Sequence, residues 1–106
     1  MENKVHPIIN KPHRYKVIYF AYKIDNDDYK NTYIDIHFKK NNEIKKLRFF
    51  QPVELEIDKG FSGSISGMEI LDIREQQLED IGVKVGNFEQ DSGVTFMARE
   101  VIEINE

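Results

Sequence analysis

Three polar residues at alternate positions, Tyr33, Asp35 and His37, form the set in this sequence that most resembles catalytic machinery. Alternate side chains of a β-strand share one face, so Asp35 could orient His37 as a general base. No nucleophile accompanies them, and polar residues on the outer face of an antiparallel strand need no function. We therefore predict that the protein is not an enzyme and has no catalytic residues.

Metal-binding patterns in the sequence are incomplete. Residues 25–28 begin like a calcium loop, because carboxylates at alternate positions can surround a hard cation. Tyr29 and Lys30 then occupy the positions where such a loop needs an oxygen ligand and a glycine. His6 and His13 show no metal-ligand spacing, and the chain has no cysteine. We predict no metal site and no cofactor.

Charge is divided unevenly along the chain. Residues 1–50 contain 11 Lys and Arg against 6 Asp and Glu, whereas residues 51–106 contain 4 against 13, which gives the net charge of −4. Such a division either marks surfaces of opposite sign or is neutralised when the two halves fold together. An acidic surface would steer a cationic partner towards the protein and raise the rate of association.

The acidic residues of the second half are our candidate partner-binding set. Carboxylates can occupy the positions of phosphates in a basic substrate cleft, so a small acidic protein is suited to block a nuclease or a similar enzyme. The alternative is a solvated acidic face without function. The predicted contact residues are Glu54, Glu56, Asp58, Asp72, Glu75, Glu79, Asp80, Glu89 and Asp91.

A lysine-rich hairpin in the first half provides the competing hypothesis, which is nucleic-acid binding. Its cations lie close in sequence to Tyr33, Phe49 and Phe50, and OB-type barrels use such surfaces. The acidic second half argues against a nucleic-acid partner, because it would repel phosphates. Lysines also protect a hairpin from edge pairing. The cations are Lys39, Lys40, Lys45, Lys46 and Arg48.

Alternating polarity in the first half predicts the strands that carry these residues. The segment Tyr15–Ile24 is dense in β-branched and aromatic residues, which predicts a strand buried on both faces or nearly so. Thr32–Lys39 alternates cleanly and predicts a half-buried strand, which returns through a hairpin as Glu43–Phe50. The residues predicted to point inward are Ile34, Ile36, Phe38, Leu47 and Phe49.

The second half predicts further short elements. Val53–Asp58 has period two and predicts an edge strand, whereas Arg74–Ile81 predicts a helix of at most two turns. Gly82 would close that helix in the left-handed conformation. Val94–Ile104 predicts a long final strand with a bulge near Arg99, where the alternation breaks.

Together these elements predict a mainly β (α+β) fold. Strands joined by short turns favour an antiparallel curled sheet, either a barrel or a sandwich, with one short helix. The 106 residues suit a single domain, with residues 1–14 as an extended arm. A hydrophobic content of 40% is enough to form a core and excludes intrinsic disorder.

Two stretches of the sequence resemble a group of bacterial proteins. They are Leu47–Phe61 (LRFFQPVELEIDKGF) and Met68–Gly93 (MEILDIREQQLEDIGVKVGNFEQDSG). They are similar to the small immunity proteins that accompany polymorphic toxins, including those of contact-dependent growth inhibition systems. The resemblance implies a protein that binds one cognate toxin domain and blocks its active site. It assigns no contact residues, so the acidic set rests on charge alone.

From residues and resemblance together we expect an immunity protein located in the cytoplasm. No apolar run approaches the roughly 20 residues of a membrane span, and Met1–Asn10 lacks the pattern of a secretory signal. The alternative is a small nucleic-acid-binding or ligand-binding β-barrel domain. The sequence leaves the toxin and the oligomeric state open, although the edge strand could pair with a partner or a second copy.

Overall fold

The computed structural model describes residues 4–57, 65–66, 68–76, 79–87 and 93–104. Within these ranges the chain forms ten β-strands and three isolated 3-10 turns. The strands are β1 (Lys4–Val5), β2 (Lys16–Lys23), β3 (Tyr33–Lys40), β4 (Glu43–Phe50), β5 (Val53–Ile57), β6 (Ile65–Ser66), β7 (Met68–Asp72), β8 (Val83–Asn87), β9 (Val94–Ala98) and β10 (Glu100–Glu103).

The strands pair into two antiparallel five-stranded sheets. The first sheet has the order β1-β7-β8-β9-β5, and the second has the order β10-β4-β3-β2-β6. The chain passes from one sheet to the other at three short connections. These join β4 to β5, β6 to β7, and β9 to β10. The sheets therefore curl around a common core, which confirms the predicted mainly β, antiparallel fold.

The principal corner between the sheets is a bent two-stranded ribbon. In it β4 pairs with β10 in the second sheet, and β5 pairs with β9 in the first. Gln51 adopts a left-handed conformation with φ of 53° and donates its N–H to the carbonyl of Thr32 at 3.0 Å. On the opposite strand Arg99 interrupts the pairing and donates its N–H to the carbonyl of Phe50 at 2.9 Å. The predicted irregularity near Arg99 is present, but the prediction of one long bulged strand over Val94–Ile104 is wrong, because the chain leaves the first sheet at Arg99 and continues as β10 in the second.

The β3–β4 hairpin follows the sequence prediction closely. The two strands pair in register from Tyr33 opposite Phe50 to Lys40 opposite Glu43. Asn41 in the turn has φ of 56°, a conformation that asparagine tolerates well. The five residues predicted to point inward are all fully buried, namely Ile34, Ile36, Phe38, Leu47 and Phe49.

The prediction that the strand at Tyr15–Ile24 is buried on both faces is wrong. Within β2 only Val17 is buried, whereas Ile18 is 50% and Tyr19 49% exposed. The register shifts between Val17 and Tyr19, which indicates a bulge at Ile18. Because no described element covers the outer face of this sheet, the apolar composition of β2 leaves side chains in solvent.

The core lies between the two sheets. Phe49 of the second sheet meets Phe96 of the first edge to face, with ring centroids 5.2 Å apart. The stretch 1–14, expected as an extended arm, contributes β1 as an edge strand beside β7, and Ile9 beyond it is only 1% exposed. The N-terminal stretch therefore supplies part of the core.

In the described part of the segment expected to form a short helix, residues 74–76 and 79–81, the chain forms one 3-10 turn, Arg74–Gln76. Glu79 and Asp80 form a turn, and Asp80 has φ of 58°. The segment Arg74–Ile81 has only two apolar residues, Leu78 and Ile81, which are too few to hold an amphipathic helix against the core. Gly82 is not in the left-handed conformation, so that prediction is wrong; the backbone of Arg99 passes close to it instead.

Candidate functional site

A shallow groove of about 460 Å³ lies on the first sheet, where β5, β9 and β8 run side by side. Glu54 and Glu56 line one side, and Lys84 lies on the other. Both glutamates are exposed, and no described cation lies within ion-pair distance of either. The groove thus presents two carboxylates to solvent above a floor that includes Thr95 and Met97.

The local backbone explains how β5 presents these carboxylates. Val53 pairs with Met97 and Glu56 pairs with Thr95, so three steps along β5 match two steps along β9. This is a β-bulge, and Glu54 within it has a left-handed φ of 54°. β5 is also the last strand of its sheet, as predicted for Val53–Asp58. The bulge and the edge position together keep the groove open on one side.

Two other carboxylates of the predicted set are paired within the chain. Arg74 donates to Asp72 through Nε at 2.9 Å and through a terminal nitrogen at 2.6 Å. These hydrogen bonds, with a further one from the Arg74 backbone N–H, lower the pKa of Asp72 to about 2. Glu75 forms an ion pair with Lys4. Asp72 and Glu75 are therefore less available to a partner than Glu54 and Glu56.

The remaining acidic residues divide into two groups. Glu79 and Asp80 are exposed in the turn that precedes β8, apart from the groove-lining residues. Asp58, Glu89 and Asp91 lie outside the described residues. The described part of the acidic set thus forms separate small groups, of which the Glu54–Glu56 pair borders a groove.

The predicted alternation of Tyr33, Asp35 and His37 on one face is confirmed, but their contacts connect them to other residues. Asp35 accepts two hydrogen bonds from Arg48, at 2.8 and 3.0 Å. The Arg48 guanidinium lies 3.9 Å from the ring centroid of Tyr33. His37 stacks on Tyr19 with centroids 4.4 Å apart. No hydrogen bond joins Asp35 to His37, so this described pair lacks the geometry of an oriented base.

The candidate metal ligands have ordinary partners. Asp25 accepts hydrogen bonds from the backbone N–H groups of Asp27 and Asp28, which lower the pKa of its carboxyl. His6 accepts the N–H of Ile8 through Nδ1, at 3.2 Å. The side chain of His13 lies outside the described residues. In the described ranges no three His, Asp or Glu side chains are arranged to hold a metal ion.

The cations of the predicted lysine hairpin differ in whether they form an ion pair with a described carboxylate. Lys45 lies 3.5 Å from the carboxylate of Glu103, and Arg48 is paired with Asp35. Lys39 and Lys40 instead line a second hollow, of about 430 Å³, together with Arg14 and Lys16. Sequence reasoning missed Arg14 and Lys16, because it did not show that the start of β2 pairs with the end of β3, where Lys16 lies opposite Lys39.

Comparison of the chain with protein-family models, with curated proteins and with solved structures finds no match. In the described part of the chain no helix has the length and apolar character needed to cross a membrane.

Proposed function

We propose that the protein is an immunity-type binding protein, which neutralises a cognate bacterial toxin domain by covering its active site. The observation that carries this proposal is the groove on the β5-β9-β8 surface, with Glu54 and Glu56 exposed at its side. The same two residues belong to the acidic set that charge patterning singles out.

The position of the groove agrees with the resemblance to immunity proteins. The strands β5, β7 and β8 all lie within the two stretches that carry this resemblance, Leu47–Phe61 and Met68–Gly93. Three strands of the groove-bearing sheet are therefore built from those stretches. The lysine-rich strands β3 and β4 both belong to the other sheet.

The mechanism we propose is electrostatic and steric. A toxin that acts on nucleic acid needs a basic cleft for phosphates, and two neighbouring carboxylates can take the place of those phosphates. A cationic side chain of the toxin would enter the groove on the side of Glu54 and Glu56, and Met97 would offer it apolar contact. Bound in this way, the protein would exclude the substrate without reacting with the toxin.

The test is protection of growing cells. Candidate toxin domains, taken from the reading frames that neighbour the gene of this chain, are each expressed with the wild-type protein, which should restore growth and co-purify with its cognate toxin at a one-to-one ratio. The double variant Glu54→Lys with Glu56→Lys should lose protection, because it places two cations against a basic cleft.

The matched control is Asp27→Lys with Glu100→Lys, which makes the same change in net charge at exposed positions away from the groove. It should protect as well as the wild-type protein does. Equal loss of protection in both double variants would show that only total charge matters. A wild-type protein that neither binds nor protects would overturn the proposal.

A further inference from the structure

The hollow beside the β3–β4 turn is lined mainly by cations. The hollow has a volume of about 430 Å³, and no carboxylate lines it. Its lining residues are Arg14, Lys16, Ile18, Lys39, Lys40 and Asn41. None of the four cations has a described carboxylate within ion-pair distance. The hollow is therefore a concentrated positive charge in a chain whose net charge is −4.

The strand register places two of these positive charges where they destabilise the free protein. Lys16 and Lys39 are direct partners in the pairing of β2 with β3. Like charges placed directly opposite each other on neighbouring strands destabilise a sheet. Lys40 is partly compensated, since its ammonium group lies 5.1 Å from the ring centroid of Tyr15. An anion bound in the hollow would relieve the remaining repulsion.

An aromatic platform adjoins the hollow on the same outer face. His37 precedes Lys39 by two residues on β3, a separation of about 7 Å along a strand. His37 is stacked nearly parallel on Tyr19, at an interplanar angle of 19°, and Tyr19 is 49% exposed. A phosphate in the hollow would therefore have an exposed aromatic ring within reach of its own or the next base.

We propose that the cation hollow and the Tyr19–His37 stack together bind single-stranded nucleic acid. Phosphates would contact Lys16 and Lys39, and an unpaired base would stack against Tyr19. Aromatic rings beside a cationic groove are the usual means of binding single strands, because every base has a π-face. A duplex keeps its bases stacked inside the helix and could use only the cations.

The carboxylates nearest to this face do not oppose the proposal. Asp35 is ion-paired with Arg48. Glu43 lies opposite Lys40 in the strand register and accepts a hydrogen bond from the Tyr15 hydroxyl at 2.5 Å, so it stands as a single carboxylate beside four cations. Glu54 and Glu56 belong to the other sheet. The inference is independent of the proposed immunity function, because it uses different residues and a different sheet.

The experiment measures the fluorescence anisotropy of labelled 12-nucleotide single strands of DNA and RNA, titrated with the full chain at several salt concentrations. Lys16→Gln with Lys39→Gln should weaken binding roughly tenfold at low salt and make the salt dependence shallower, by about 0.7 in log–log slope for each lost phosphate contact. The same variant should not unfold more easily, because it removes a like-charge pair.

The matched control is Lys23→Gln with Lys30→Gln, two exposed lysines that line neither the hollow nor the groove, and it should bind like the wild-type protein. Tyr19→Ala should weaken single-strand binding at least fivefold and leave binding of inorganic tripolyphosphate unchanged. Equal effects of the two lysine pairs, no effect of Tyr19→Ala, or no binding of single strands at low salt would each overturn the proposal.

Discussion

Gly82 lies so close to Arg99 that a Cβ atom added to the glycine would stand 2.7 Å from the backbone carbonyl oxygen of Arg99. The backbone of Gly82 is held from two sides. Its N–H donates to the carbonyl of Ala98, and its carbonyl accepts the N–H of Ile73, each at 2.9 Å. The glycine therefore permits the close approach of two segments at the corner where β9 passes into β10.

This contact predicts that substitution of Gly82 will destabilise the protein far more than substitution of Gly86, four residues later in the chain. Gly82→Ala should lower the free energy of unfolding by about 1–3 kcal/mol, because backbone atoms must move to admit the methyl group. Gly86→Ala is the matched control, since its Cβ would meet no atom within 4 Å. Chemical denaturation of both variants tests this expectation, and an equal loss in the two would contradict it.

Gln51 provides a second test of the corner. A non-glycine residue with φ of 53° is strained, and glycine adopts this conformation without cost. Gln51→Gly should therefore raise the free energy of unfolding by about 0.5–1 kcal/mol. The control Lys84→Gly, on β8 without a positive φ, should lower it by about 1 kcal/mol. A loss at Gln51 as large as that at Lys84 would show that its side chain matters more than its backbone.

The Asp35–Arg48 pair should contribute to stability through its geometry more than through its charge. Arg48 donates to both carboxylate oxygens and lies on the Tyr33 ring, which lysine cannot reproduce. Arg48→Lys should lower the free energy of unfolding by about 1 kcal/mol, whereas Arg14→Lys should have little effect.

A double-mutant cycle with Asp35→Asn measures the coupling between Asp35 and Arg48 directly. The losses from Asp35→Asn and Arg48→Lys should sum to more than the loss in the double variant, because either substitution alone breaks the same pair of hydrogen bonds. Additive losses would mean that the two side chains act independently.

The sequence was informative where local pattern and burial agree. The alternation in Thr32–Lys39 and Glu43–Phe50 identified both strands and all five of their buried residues, since period two assigns each side chain to a face. It failed for Tyr15–Ile24, because apolar composition cannot show whether a second layer will cover a face. It failed also for Gly82, whose role depends on a segment 17 positions later in the chain.

The candidate sites also depend on contacts between distant segments, which the sequence alone does not reveal. Glu54 and Glu56 could be found from charge and alternation, but the groove beside them depends on the pairing of β5 with β9. The pairing of Lys16 with Lys39 joins residues 23 positions apart, and the stack of Tyr19 on His37 depends on the register of the same two strands. Register is set by the folded sheet, which a single sequence does not specify.

Asp72 should make the stability of the protein depend on pH in the acid range. Hydrogen bonds from the Arg74 side chain and backbone lower the pKa of Asp72 from 3.8 to about 2 in the folded state. The unfolded chain therefore takes up this proton at a higher pH than the folded chain does. The resulting stabilisation is fully present above about pH 4 and is lost as the pH falls through 2.

The measurement compares the wild-type protein with Asp72→Asn by chemical denaturation between pH 6 and pH 2. The wild-type protein should be more stable at pH 6, and the difference should shrink towards pH 2, where a protonated Asp72 resembles asparagine. Arg74→Gln removes the main donor and should reduce the pH dependence in the same way. A difference between wild type and Asp72→Asn that stays constant over this range would show that the Arg74 contact does not stabilise the Asp72 carboxylate.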